Sequence, residues 1–238
     1  MHADETSVRL KKEKGYVWVF TNLNDVVYVY KDTREGQFLH EMLKDFSGVL
    51  VSDFFSAYDS LECKQQKCLV HLMRDLNNDL EANFFDEELK ALSKRFGRLL
   101  VAIVRTIDLH GLAQRYLSKH KKDVDSFYAT ACEQPYQSEI AERYRKRFVK
   151  YRDKLFVFLD LDGVPWNNNN AEHAVKYFAK YRVISNGHMT ESGIEDYLLL
   201  LSIYQSCAYR GISFLDFLLS GEVNLGRFSE SRRRHKSG

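Results

Sequence analysis

Proline is almost absent from this chain: there are two in 238 residues. Cysteine is scarce too. Its four copies (Cys63, Cys68, Cys132 and Cys207) fall well short of the density of a secreted disulfide scaffold and support reduced thiols in a cytosol. No apolar run approaches the roughly 18 residues that span a membrane, no signal peptide opens the chain, and no internal repeat is visible. Nor does charge of one sign dominate. Lys plus Arg number 35 against 33 Asp plus Glu, a net charge of +2, so local clusters say more about partners than the sum does. What is abundant is aromatic, with 16 Phe and 14 Tyr. With so little proline, that composition argues for a folded, helix-rich globule and against disorder. The length suits one domain, or one domain with an insertion, around a full core.

Taken in order, Val8 and Leu10 alternate with polar neighbours as in a strand, and residues 11–15 read as a turn. The runs 16–21 and 26–30, β-branched and aromatic, form a hairpin across Asn22-Leu23-Asn24-Asp25. Phe38, Met42, Leu43 and Phe46 predict a short helix ended by Gly48. Residues 48–53 are then apolar on both faces and stop on Asp53, the pattern of a buried parallel strand reached by a helical crossover. Three antiparallel strands, a helix and a buried parallel strand are the opening of a ribonuclease-H-like fold. Residues 68–76 read as a helix. After it, Phe85, Leu89, Leu92, Phe96, Leu99, Ile103 and Ile107 step by three or four, as do Ile140, Tyr144, Phe148, Tyr151, Leu155 and Phe158. The predicted architecture is α/β: a ribonuclease-H-like mixed sheet of about five strands, flanked by helices and interrupted by a mostly helical insertion. Its expected divisions are 1–74 and 161–222 for the core, 75–160 for the insertion and 223–238 for a disordered basic tail. Residues 197–219 are expected as one or two largely buried helices broken near Gly211.

Pro165 and the run Asn167-Asn168-Asn169-Asn170 interrupt regular structure, because Asn side chains bond their own backbone. Ala171, Ala174, Val175, Phe178 and Ala179 then fall at helical spacing, with Asn169 or Asn170 as a natural N-cap. Glu172 sits in that helix's first turn, where an acid also simply complements the helix dipole. Three carboxylates therefore have notable placements: Asp4 in the first strand, Asp53 at the end of the buried strand, and Glu172 opening the late helix. Two aspartates facing each other across neighbouring strands repel unless a cation lies between them. Oxygen ligands favour Mg²⁺ or Mn²⁺. Spacing alone is weak, since 33 acids offer many triples, and Asp75, Asp160 and Asp162 are further acids best explained as solvated positions.

Asp4-Glu5-Thr6, Ser52-Asp53-Phe54-Phe55-Ser56-Ala57-Tyr58-Asp59, Cys68 with His71, and Asn168-Asn169-Asn170-Ala171-Glu172-His173-Ala174 together resemble DDE-type transposases. The match is closest to the insertion sequence sixty-six class of bacterial mobile elements. Residues 181–187, Thr190-Glu191-Ser192-Gly193 and a helical tail resemble that class as well, so the likeness runs from about Asp4 to Leu219. The resemblance implies a catalytic domain that cuts and joins DNA strands with Mg²⁺ (or Mn²⁺) held by Asp4, Asp53 and Glu172. It further implies a bacterial, cytoplasmic, nucleoid-associated protein whose partners are transposon ends, target DNA and other copies of itself, with no membrane. The family normally carries DNA-binding segments ahead of the first Asp. The chain is accordingly expected to be a catalytic core lacking its N-terminal part.

The basic, aromatic-interleaved surface of Lys176, Lys180, Arg182 and His188 is the expected DNA contact. Cys68 and His71, with Asn169 and Asn170, are the expected support of the active site. Zinc would need four soft or borderline ligands, and only Cys63, Cys68 and His71 lie close in sequence. Packing, active-site support and zinc stand as three readings of that trio. Two rivals to a transposase remain: a catalytically silent remnant that binds DNA or a partner transposase chain, and a ribonuclease-H-like nuclease unconnected with transposition.

Overall fold

The first 31 residues make three strands, the second and third rich in β-branched and aromatic residues, and the helices begin after them. The structure, a computed structural model, describes residues 1–11 and 13–236, with side chains through residue 230. In chain order it contains β1 (His2–Arg9), β2 (Lys14–Thr21), β3 (Val26–Lys31), α1 (Gln37–Met42), β4 (Val49–Ser52), β5 (Lys64–Lys67), α2 (Leu69–Ala82) and α3 (Glu87–His110). The remaining helices are α4 (Gln114–Leu117), α5 (Lys121–Ala131), α6 (Glu139–Lys150), α7 (Arg152–Leu155), α8 (Asn169–Ser185), α9 (Glu191–Tyr209), α10 (Phe214–Leu219) and α11 (Leu225–Lys236). The chain is thus α/β with strands of mixed direction. It divides into two compact units, residues 1–38 with 169–238 and residues 39–168.

In the first unit β1, β2 and β3 form the expected antiparallel meander, with Asp4 opposite Val19 and Val19 opposite Tyr28. Val17, Trp18 and Val19 of β2 have no exposure. Helix α8 packs on β1 and β2, and α9 on β3. The outer edge of β3 would present unpaired amides, a template for a foreign strand. Helix α9 occupies it instead: Ser206 Oγ accepts from Val26 N at 2.9 Å, and Ser202 Oγ accepts from Tyr28 N at 3.0 Å. Arg210 closes the arrangement with a fork onto both oxygens of Asp25 at 2.7 Å. Tyr28 donates its hydroxyl to Ala174 O at 2.8 Å, joining β3 to α8.

In the second unit β4 and β5 pair in parallel, Ser52 opposite Lys67. The expected helical run follows from α2 to α7, with no strand among its described residues. Phe96, Phe127 and Phe148 interlock at its centre, with ring centroids 4.8–5.8 Å apart, an arrangement aromatic quadrupoles favour.

Several expectations are corrected. Strand β5 is not predicted, because Lys64-Gln65-Gln66-Lys67 is wholly polar, yet Gln65, Gln66 and Lys67 are buried. Gln66 explains how: its amide donates to Leu155 O at 2.7 Å and to Lys67 O at 2.8 Å, while its carbonyl accepts from Phe158 N at 3.1 Å. The first helix stops at Met42, short of Gly48. A Cβ at Gly48 would meet the Phe46 ring at 2.7 Å, so a larger residue there would push that ring aside. Phe85 is 80 % exposed and lies outside α3, whose cap is Asp86 accepting from Leu89 N at 2.9 Å. Helix α8 begins at Asn169, one residue before one of the expected caps and at the other. The break at Gly211, with φ +66°, falls where expected. Leu199, Leu200, Leu215 and Leu219 nevertheless face outward. Where a disordered tail is expected, Leu225–Lys236 is helix. Asn224 Oδ1 accepts from Arg227 N at 3.1 Å and Phe228 packs on Phe217, so a cap and one aromatic anchor suffice to start it. Ser237 and Gly238, also part of that expectation, lie outside the described residues.

Replacing Gln66 with Ala strands the Leu155 carbonyl and the Phe158 amide in the interior. Urea unfolding is expected to show a loss of about 2–4 kcal/mol. A loss under about 0.5 kcal/mol would mean that Gln66 does not hold β5.

Candidate catalytic acids

Asp4 is the third residue of β1, between fully buried Ala3 and Glu5. Its Oδ1 accepts from Glu5 N at 2.9 Å. The Glu5 side chain is itself 2 % exposed and is met by the Arg34 guanidinium at 2.5 Å. Glu172 lies half-buried in the first turn of α8, beside the buried stripe Ala171, Ala174 and Phe178 that faces the sheet. Two of the three expected acids thus belong to packed elements of one unit. Asn170, expected as active-site support, bridges within that unit. It donates to Asn22 O at 3.3 Å and accepts from the Tyr209 hydroxyl at 3.2 Å. Asn169 is exposed as the first residue of the helix.

Asp53 follows the last residue of β4, at the carboxyl end of the parallel pair. In α/β sheets that end is where ligands gather, because the chain turns away there and leaves backbone groups and side chains facing a crevice. Asp53 Oδ1 accepts from Phe55 N at 2.9 Å, a turn that fixes the carboxylate's rotamer. Its second oxygen accepts no hydrogen bond among the described residues. Cys68 is buried at the start of α2. Its amide donates to Ser52 O at 2.8 Å, and its sulfur accepts from Asn168 N at 3.2 Å. Leu69 N donates to Trp166 O at 3.0 Å beside it. Cys68 therefore joins the end of β4 to the asparagine run. His71, half-buried, follows in the first turn of α2.

Zinc shared by Cys63, Cys68 and His71 is overturned. The two cysteines bracket β5, and five residues of extended chain put them roughly 16 Å apart, whereas ligands of one zinc lie within about 4 Å of each other. Cys63 is half-buried, and burial pushes its thiol above the ordinary range.

The four basic residues have different fates. Lys176 and Lys180 are exposed one turn apart on α8, and the Lys180 ammonium lies 5.7 Å over the Tyr177 ring. His188 is exposed and its Nδ1 lies 3.1 Å from Asn186 O. Arg182 instead turns back onto β1, donating to Thr6 Oγ1 at 2.9 Å and to Ser7 O at 2.7 Å. Lys67, which the sequence does not single out, has no exposure and lies opposite Ser52, next to Asp53. Its only sequence signal is position: a cation directly before Cys68.

The model of the transposase IS66 family matches residues 1–196. The chain belongs to that family. No curated protein and no solved structure matches it. The family match takes in Asp4, Asp53, Glu172 and all four basic residues, and it ends inside α9, so α10 and α11 lie beyond it.

Because Arg182 bonds β1, its replacement acts on the fold. Arg182→Ala is expected to lower unfolding stability by about 1–2 kcal/mol, while Lys180→Ala changes it by less than about 0.5 kcal/mol. Equal melting temperatures for the two variants would contradict that division.

Proposed function

We propose that the chain is the catalytic part of a DNA transposase that cleaves phosphodiesters at transposon ends and transfers the strands to target DNA, using Asp4, Asp53 and Glu172 as its acidic triad. The observation that carries this reading is the family match, which spans all three acids in one continuous stretch. The donor set fits the ion such chemistry needs. Three carboxylates offer hard oxygens suited to Mg²⁺ or Mn²⁺, and the second oxygen of Asp53 is left open for a ligand bond while Phe55 N holds the first. Asp4, Asp53 and Glu172 would hold the divalent ion, which would supply activation of a water or 3′-hydroxyl and charge stabilisation at the leaving oxygen.

In this reading the chain's residues orient and neutralise. Asp53 has a fixed rotamer, so little reorganisation separates its resting and ligand-holding geometry. Lys176 and Lys180 project from the helix that opens with Glu172 and offset the acids' repulsion of a phosphate backbone, a sequence-independent contribution sensitive to salt. His188 is the third contact. The site's substrates are transposon ends and target DNA, and joining two ends to one target calls for more than one copy of the chain. No helix among the described residues is long and apolar enough to cross a membrane. The reading places the protein on the nucleoid of a bacterial cytoplasm, where its substrate is.

Asp53→Asn preserves shape and removes charge. It is expected to keep the melting temperature within about 2 °C and to cut Mg²⁺-dependent cleavage of end DNA by more than about 100-fold, beyond the usual cost of losing a ligand's supporting partner. Undiminished cleavage would overturn the triad. Lys176→Ala with Lys180→Ala is expected to reduce the slope of log affinity against log salt by about 0.9 for each phosphate no longer neutralised; an unchanged slope removes them from the DNA surface.

A further inference from the structure

Asp53 lies just beyond the end of β4, where no strand ladder holds the backbone. The segment that follows, residues 53–59, is nevertheless tied down at both ends and in the middle. At its start, the buried Lys67 ammonium lies 3.3 Å from Ser52 Oγ, on the residue that precedes Asp53. At its end, the same ammonium pairs with Asp59 at 3.2 Å. Asp59 also accepts from the Tyr151 hydroxyl at 2.7 Å and from Lys150 at 2.9 Å, while its carbonyl accepts from Lys154 at 3.1 Å. In the middle, the Phe54 ring is stacked by the Arg147 guanidinium at 3.8 Å and met edge-on by Tyr151 at 5.3 Å. Asp75 holds Arg147 in place at 2.7 Å. Tyr58, fully buried, is anchored through its carbonyl, which accepts from Gln65 at 2.7 Å.

Burial alone would discourage Asp59 from ionising. The hydrogen bonds from Lys150 and Tyr151 and the Lys67 charge outweigh it and hold the carboxyl below its ordinary range. The anion is thus the resting state, and it faces a cation that water cannot reach. Arg147 and Lys150 lie on α6, with Tyr151 and Lys154 just after it. The tethers from Arg147, Lys150, Tyr151 and Lys154 therefore come from the end of one helix and the turn following it.

We propose that Arg147, Tyr151, Asp59 and Lys67 form a clamp by which the α6–α7 corner positions Asp53 for its metal, so that these four are positioning residues of the catalytic site. The inference rests on the metal-binding role proposed for Asp53. It assigns the helical segment a task beyond filling space: it fixes the direction of a carboxylate that its own strand has released. Supporting partners of a metal ligand characteristically change affinity by 10–100-fold when removed, because a ligand that must be oriented at the moment of binding gives up part of its binding free energy to ordering.

Lys67→Met and Asp59→Asn leave a buried charge without its partner and act on folding, so the test uses gentler variants of the full chain. Tyr151→Phe keeps the ring against Phe54 and removes only the hydroxyl. Arg147→Met removes the stack on a side chain that is 22 % exposed. Tyr144→Phe, on the same helix but bonded to Asp79 at 2.6 Å, is the control. Mn²⁺ affinity is measured by electron paramagnetic resonance well below each variant's melting temperature, with Asp53→Asn in parallel. The expected result is about 10-fold weaker Mn²⁺ binding in Tyr151→Phe and Arg147→Met, more than 100-fold in Asp53→Asn, and no change in Tyr144→Phe. If Asp53→Asn loses Mn²⁺ while Tyr151→Phe and Arg147→Met bind it within twofold of the wild type, the clamp is overturned and the metal site stands. If Tyr144→Phe weakens Mn²⁺ as much as the clamp variants, the effect is general loosening and the clamp is likewise overturned. If Asp53→Asn binds Mn²⁺ like the wild type, the metal-site reading falls and the clamp with it.

Discussion

A lysine ammonium with no access to water lies at the end of β5, and the second unit is built to tolerate it. Desolvation disfavours the charge and lowers the pKa of Lys67, against the pull of Asp59. Removing a buried partner from such a pair costs about 3–5 kcal/mol, whereas forming the pair from water gains little. The interaction therefore does more for specificity of arrangement than for net stability. Tyr58 and Tyr151 present ring faces to the ammonium at 5.5 and 5.7 Å, and Gln65 and Gln66 continue the polar interior along the strand. Gln66, bonded through both ends of its amide, and Lys67, paired with Asp59, hold that strand in place between β4 and α2.

The first unit solves a different problem with the same economy of groups. A three-stranded meander leaves an edge, and side-chain hydroxyls of α9 bind amides along that edge. The helix is thereby registered to the strand residue by residue, which hydrophobic contact alone does not enforce. Arg182 on α8 does the equivalent for β1. A residue that reads in sequence as one more cation for DNA thus also bonds the sheet, while Lys176 and Lys180, on the same helix, are exposed.

Those cases show what the sequence makes legible. Strand and helix periodicity found β1 to β4 and the long helices, because one buried face repeats at a fixed interval. The turn at Gly211 and the helix after the asparagine run were legible for the same reason. Strand β5 was hidden, since its burial depends on partners 89 to 92 residues away in sequence, and no local pattern records a satisfied glutamine. Among the candidate residues, motif order singled out Asp4, Asp53, Glu172 and Cys68 as expectations. It could not reveal that Asn170 braces Tyr209 or that Cys63 stands at the far end of a strand from Cys68.

The two aspartates also differ in what holds them. Asp4 sits inside a ladder, paired across to Val19, and Ala3 beside it is fully buried. A slip of one residue would send the carboxylate to the face where Ala3 now packs, so burial of the strand and placement of the acid are one constraint. No ladder extends to Asp53. Under the proposed clamp its position depends on side chains that reach it through Ser52, Phe54 and Asp59, of which Arg147, partly exposed on a helix, is replaceable without leaving a buried charge unpaired. Orientation at Asp4 is therefore coupled to global stability, whereas at Asp53 it can be altered while the fold persists. On the proposed role of both acids, the geometry of the site is varied most readily through the helical segment that bears on Asp53.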